Sequence, residues 1–377
     1  MSDVHATRIA TADGQAVTVT SHTKFITDWA DRYFGAWWTA TPATVPATGP
    51  SVTGEVDRAA TEELSAYIAR HNPQTCEYAG APMRYTSDSD GTVTAAQPGE
   101  QLAYRWEPGP RRLLIVGADE TAVATAVSRL AREVVRGQLL AVGWEIMHAS
   151  AVTNQDGATL LTFGGKGAGK TSSAFLLARA GWHLLANDRI FVRANPETGT
   201  IRILPWPSAA AAGFGLLSAL GLFEPVRQRL LAGERMHPTQ KQAVTDALIN
   251  GDTTPLWKDA GHRRELKPQF FPDQLTSMLG MTLATEGHAA GLLFPQITPG
   301  AQPAQLDDSR TLGEDDFFTA STEDRYPDVF GLLPITGAGS PDLTTRFAEL
   351  PHQALTLGHD VAANTAALEK AASLLIA

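Results

Sequence analysis

Residues 164–171 read Gly-Gly-Lys-Gly-Ala-Gly-Lys-Thr, and no other stretch limits the folds open to this chain as strongly. Ahead of it, Ala158-Thr159-Leu160-Leu161-Thr162-Phe163 is short, apolar and β-branched, the pattern of a buried strand. Behind it, residues 172–180 predict a helix with Phe175, Leu176 and Ala180 near one face and Gly181 as C-cap. Strand, glycine loop, Lys-Thr and helix in that order predict an α/β core carrying a phosphate-binding loop. Glycines let backbone N–H groups curl round a phosphate, and the helix N-terminus adds partial positive charge. The expected nucleotide-binding residues are Gly164, Gly165, Lys166, Gly167, Ala168, Gly169, Lys170, Thr171 and Ser172. Lys170 is expected to reach the β- and γ-phosphates of ATP, with the Thr171 hydroxyl on Mg²⁺.

The 377 residues allow two domains, and 43% hydrophobic with 19% charged residues is the balance of a folded globular chain. A formal net charge of −10 argues against nucleic acid as the main partner, which needs a basic face. The single cysteine, Cys76, cannot close an internal disulfide, so a reducing cytoplasm is expected. Residues 1–10 carry His5 and Arg8 without an apolar run, so no signal peptide is expected there. The most apolar window, 209–222, is too short to span a bilayer and contains three glycines. It predicts a buried helix or a substrate-facing loop, and no membrane partner. No internal repeat of fixed period is present.

An N-terminal α+β, strand-rich domain is expected over 1–143, and a nucleotide-binding domain over 144–377. Alternation at 16–20, 83–85, 91–94 and 102–106 predicts short antiparallel strands, with a turn at 87–91. Residues 39–52 read as a loop, and 61–70 as a helix with Leu64, Tyr67 and Ile68 on one side. A strand at 111–117 leads to Asp119, which caps a long helix bearing Val123, Val127, Leu130 and Val134. Arg129, Arg132 and Arg136 occupy its other faces and read as a solvated basic side. Farther on, strands are expected at 184–186, 201–204 and 290–294, and helices at 224–232, 239–249 and 362–375. Residues 306–327, with Asp307, Asp308, Glu314, Asp315 and Asp316, read as a solvated acidic insertion.

A phosphate loop needs an acid for its metal, usually at the end of a neighbouring strand. Asp188 follows the apolar run 184–186 one helix downstream of Lys170, and is the expected Mg²⁺ ligand. His148 precedes the strand pair that leads into the loop, and both a structural role and a site role are open to it.

Together these pieces resemble the HPr kinase/phosphorylase superfamily, whose core fold is related to that of ATP-dependent phosphoenolpyruvate carboxykinase. The likeness runs from His148-Ala149-Ser150 through the glycine loop to Gly181-Trp182-His183-Leu184-Leu185-Ala186-Asn187-Asp188, ending near Arg193. Arg129-Leu130-Ala131-Arg132-Glu133 and Leu204-Pro205 are similar to segments of kinase-like relatives from bacterial natural-product and peptide-modification pathways. The resemblance implies a P-loop kinase core of HPr-kinase type, with His148 beside the transferred phosphoryl group and Asp188 as the second acid of the family's Asp-Asp pair. The first position of that pair is Asn187 here. In the family that Asp is held to take the proton of the substrate hydroxyl, whereas an amide can position a nucleophile but cannot deprotonate it. Asp188 or His148 would then serve as base, or turnover would be weak. The family's downstream glycine-rich signature is missing, and the apolar stretch 206–222 takes its place, so HPr is not the expected acceptor.

Positive charge over the γ-phosphate is expected from outside the loop, with Arg263 and Arg264 in the basic run 262–267 as candidates. Three functions are consistent with these residues. The first is an ATP- and Mg²⁺-dependent kinase acting on a hydroxyl of a small metabolite or peptide. The second is a nucleotide-binding sensor or scaffold without turnover, and the third a carboxykinase-like lyase. Oligomeric state is left open.

Overall fold

The computed structural model describes residues 3–45, 48–259, 261, 265–306, 310–313, 316–318, 326–334 and 341–376. It is a strand-rich α/β protein with mixed sheets and, among the described residues, ten α-helices. The chain divides into two units, Met1–Trp144 with Thr319–Gly337, and Glu145–Phe318 with Ala338–Ala377. No helix among the described residues is long and apolar enough to cross a membrane.

The first unit runs β1 (His5–Ala10), β2 (Ala16–Ser21), α1 (Lys24–Phe34), β3 (Thr39–Pro42), β4 (Ser51–Val56), α2 (Arg58–Ala69), β5 (Gln74–Tyr78), β6 (Ala81–Ser87), β7 (Val93–Gln97), β8 (Leu102–Glu107), β9 (Arg112–Gly117) and α3 (Glu120–Ala141). Its nine-stranded sheet has the order β3-β1-β2-β4-β9-β8-β7-β6-β5. The sheet is mixed rather than wholly antiparallel, because β4 pairs in parallel with both β2 and β9. The expected loop at 39–52 is broken by β3, an edge strand on β1, and by the start of β4.

Asp119 caps α3 as its sequence suggests, its Oδ1 accepting from the Ala122 N–H at 2.8 Å. The expected solvated basic side of α3 is not what forms. Arg132 and Arg136 are 5% and 2% exposed, on either side of a buried Glu133. Arg132 donates through Nε and Nη2 to Glu133 Oε1 at 3.1 and 3.0 Å, and Arg136 Nη1 to Glu133 Oε2 at 2.9 Å. Arg132 Nη1 also donates to the Tyr33 hydroxyl at 3.0 Å. The helix is covered on most of its circumference, so its cations are neutralised within the protein rather than by water.

The second unit continues with β10 (Glu145–Met147), β11 (Ser150–Thr153), β12 (Ala158–Thr162), α4 (Lys170–Arg179), β13 (His183–Ala186), β14 (Ile190–Ala194) and β15 (Ile201–Pro205). Then come β16 (Ala210–Ala211), α5 (Phe214–Ala219), α6 (Phe223–Leu231), α7 (Gln242–Asn250), β17 (Leu256–Trp257), β18 (Glu265–Leu266), β19 (Gln269–Phe270), α8 (Pro272–Ser277) and β20 (Thr282–Leu283). Last are β21 (Gly287–Ile297), β22 (Ala304–Gln305), α9 (Pro341–Ala348), β23 (His352–Leu357) and α10 (Val361–Leu375). The main sheet has the order β10-β14-β15-β21-β12-β11-β13-β20, with β23 on the far half of β21 and β22 on β23. One face forms a core of Leu161, Phe163, Leu185, Phe294, Leu343 and Phe347. The apolar window 209–222 becomes β16 and the short helix α5, with Phe214 and Leu217 fully buried.

Candidate functional site

Sheet register assembles the site. β11 lies antiparallel to both β12 and β13, pairing Ser150 with Thr162 and Ala151 with Ala186. β12 and β13 therefore run the same way and end together. The glycine loop after β12, the Asn187-Asp188 step after β13 and His148 before β11 thus emerge at one end of the sheet. Met147 pairs with Ile190 of β14 and also bridges to Phe317, which brings residues 316–318 to the same end.

Within the loop, Gly164, Gly167 and Gly169 have φ of 142°, 84° and 114°, the left-handed region that a side chain resists. Close packing adds to this at Gly164, where a Cβ would lie 2.9 Å from that of Ala168. Gly165, Lys166 and Gly167 are exposed. α4 opens at Lys170 with Gly169 as N-cap, and no side chain caps its first N–H groups. An uncapped helix start behind an exposed glycine turn fits an anion. Thr171 and Ser172 are half-buried in the first helical turn, and Ser150 Oγ donates to the Lys170 carbonyl at 2.8 Å, tying β11 to the start of α4. Lys170 Nζ folds back onto its own loop, donating to the carbonyls of Gly164 and Gly165. Burial pushes the Lys170 ammonium below the ordinary lysine range; the Asp188 and Asp316 carboxylates oppose that shift, and Lys267 adds to it.

Asp188 has a 59% exposed side chain, with one oxygen 3.9 Å from Arg189 Nε. Asn187 is buried, at 7% exposure, and its side chain has no hydrogen-bond partner among the described residues. His148 is half-buried; its backbone N–H donates to the Asp316 carbonyl at 2.9 Å, and its ring lies 5.9 Å from that of Phe318. Arg263 and Arg264 lie outside the described residues. Among the described residues, no group of three His, Cys, Asp or Glu side chains is placed to hold a metal. Thr171 and Asp188 are donors of the kind Mg²⁺ takes when it also binds through nucleotide phosphates rather than in an all-protein cage.

No family model matches the chain, and no curated protein matches it.

Several residues at this end of the sheet carry no local sequence signal. Asp316, expected on a solvated acidic insertion, is instead 4% exposed. Its carboxylate accepts from Arg310 Nη2 at 3.0 Å on both oxygens, and from the Gly313 N–H at 2.9 Å. Asp307, Asp308, Glu314 and Asp315 lie outside the described residues. Arg189 packs against two aromatic rings, its Cζ 4.7 Å from the Phe318 centroid and 5.6 Å from that of Trp206. Lys267 belongs to the basic run 262–267, and its charge bears on Lys170.

Proposed function

We propose that this chain is an ATP- and Mg²⁺-dependent phosphotransferase with a core of HPr-kinase type, moving the γ-phosphoryl group to a hydroxyl of a small metabolite or a peptide. One observation carries the reading. An uncapped helix start behind an exposed glycine loop carries Lys170 at the sheet end that also presents His148 and Asp188. ATP supplies the phosphoryl group there, and Mg²⁺ neutralises charge that the loop alone leaves uncompensated. The amides of 164–170 hold the phosphate chain, and Lys170 leaves its loop carbonyls to meet it. Thr171 and Asp188 hold the cation. Asn187 and His148 orient the attacking hydroxyl, with proton removal falling to Asp188 or His148.

Calorimetry with Mg-ATP tests the first half of this reading. The wild-type protein should bind, and Lys170→Ala should lose at least about tenfold in affinity, since a charge-assisted contact to phosphate is lost. Absence of heat with every purine triphosphate would end the proposal. A second reading, a nucleotide sensor without turnover, is favoured by the neutral side chain at Asn187. Binding without ADP release, whatever acceptor is supplied, would select it.

A further inference from the structure

A phosphate held by the glycine loop and Lys170 would have a far side that neither covers, and a guanidinium packs on the strand that pairs with the one leading into the loop. Strand β21 runs alongside the loop. The Phe163 N–H donates to the Leu293 carbonyl at 2.9 Å, and a Cβ on Gly169 would lie 3.0 Å from Ile297. Between those contacts Phe294 packs on Phe163, with ring centroids 6.1 Å apart. The Arg310 guanidinium lies over Phe294, its Cζ 4.9 Å from the centroid. Arg310 also grips Asp316, whose backbone carbonyl is bound to the His148 N–H. Its side chain is 39% exposed, so one part is anchored and another open to solvent.

Resting on the nucleotide reading above, we propose that Arg310 is the cation that covers the terminal phosphate of the bound nucleotide, exchanging its contact with Asp316 for one with phosphate oxygens. Arg310 holds both oxygens of that carboxylate through Nη2 alone and donates from Nη1 to the Thr311 carbonyl; released, the planar guanidinium can present the two nitrogens to two phosphate oxygens. Lys170, tied to Gly164 and Gly165 carbonyls, and Arg310, tied to Asp316, are the two cations to be released together. Asp316 is thus a competitor for Arg310. Removing its charge strengthens binding of a triphosphate, while removing Arg310 weakens it. A diphosphate, which ends one phosphate short of Arg310, senses neither change. A purely structural ion pair would treat both nucleotides alike.

The test is calorimetry with Mg-AMP-PNP and Mg-ADP on the full chain, as wild type, Arg310→Met, Arg310→Lys and Asp316→Asn, each checked for folding by circular dichroism. Arg310→Met should weaken Mg-AMP-PNP by about tenfold to a hundredfold with Mg-ADP unchanged. Arg310→Lys should fall between, because it keeps the charge and loses the fork. Asp316→Asn should bind Mg-AMP-PNP more tightly, again without effect on Mg-ADP. The inference is overturned if both Arg310 variants keep the wild-type ratio of the two affinities, or if Asp316→Asn shifts both nucleotides equally. Failure of the wild type to bind either nucleotide would instead remove the phosphate-loop reading beneath it.

Discussion

Asn187 follows β13 beside Asp188, and on the proposed phosphotransferase reading a carboxylate there would face the same metal and hydroxyl. The residue is 7% exposed, and no side-chain hydrogen bond ties its amide to the described residues, so an acid of nearly the same volume enters without breaking a contact. Asn187→Asp sets two carboxylates side by side, a like-charge pair that the proposed Mg²⁺ would relieve. Turnover measured as ADP release in Mg-ATP should rise, by up to the ~10²–10⁴-fold that a positioned general base supplies. At neutral pH and without Mg²⁺ the same variant should be less stable by about 1 kcal/mol, the repulsion between its carboxylate and that of the largely exposed Asp188. A drop in turnover would show that the neutral amide makes a contact the reaction needs, and would move the base elsewhere.

Elements were legible where their information is local. The strand, loop and helix of 158–180 carry period, glycine and capping signals within a dozen residues of one another, and β12 and α4 form there. The same holds for Asp119 at the start of α3 and for the strand on 201–204, seen as β15. Burial imposed from a distance was not legible. Nothing near Asp316 announces that Met147 of β10 will bridge to its neighbour Phe317, and nothing near Arg132 announces Tyr33, 99 residues earlier. A helix with one apolar stripe and several arginines reads as half-solvated until other segments cover the second half. Glu133 is the residue that makes such covering tolerable, one carboxylate accepting from two buried guanidiniums. Glu133→Gln keeps the shape and removes the charge, so it should destabilise the protein by about 3–5 kcal/mol, as breaking a buried pair from one side does. Urea unfolding measures this directly, and a loss under about 1 kcal/mol would place Glu133 in water-like surroundings.

Over the whole molecule the chain leaves the first unit at Trp144, builds most of the second, and returns between residues 319 and 337. The returning segment is held by ordinary contacts. Asp328 accepts from the N–H groups of Leu332 and Leu333 at 2.7 and 2.9 Å, and Phe330, 3% exposed, sits 6.0 Å from the rings of both Tyr78 and Tyr104. Its passage over α3 depends on a missing side chain. A Cβ at Gly137 would lie 2.0 Å from the Leu332 carbonyl oxygen and 3.0 Å from its carbon, both backbone atoms with no rotamer to yield. Glycine inside a helix ordinarily costs about 0.5–1 kcal/mol relative to alanine, so helix propensity alone makes Gly137→Ala stabilising. The clash should outweigh that gain. We expect a net loss of about 1–3 kcal/mol, the usual range for overpacking, together with faster proteolytic cleavage within 326–334 as the segment lifts from α3. A Gly137→Ala protein that melts higher than wild type, with that segment still protected, would mean that the returning segment does not rest on the helix at Gly137.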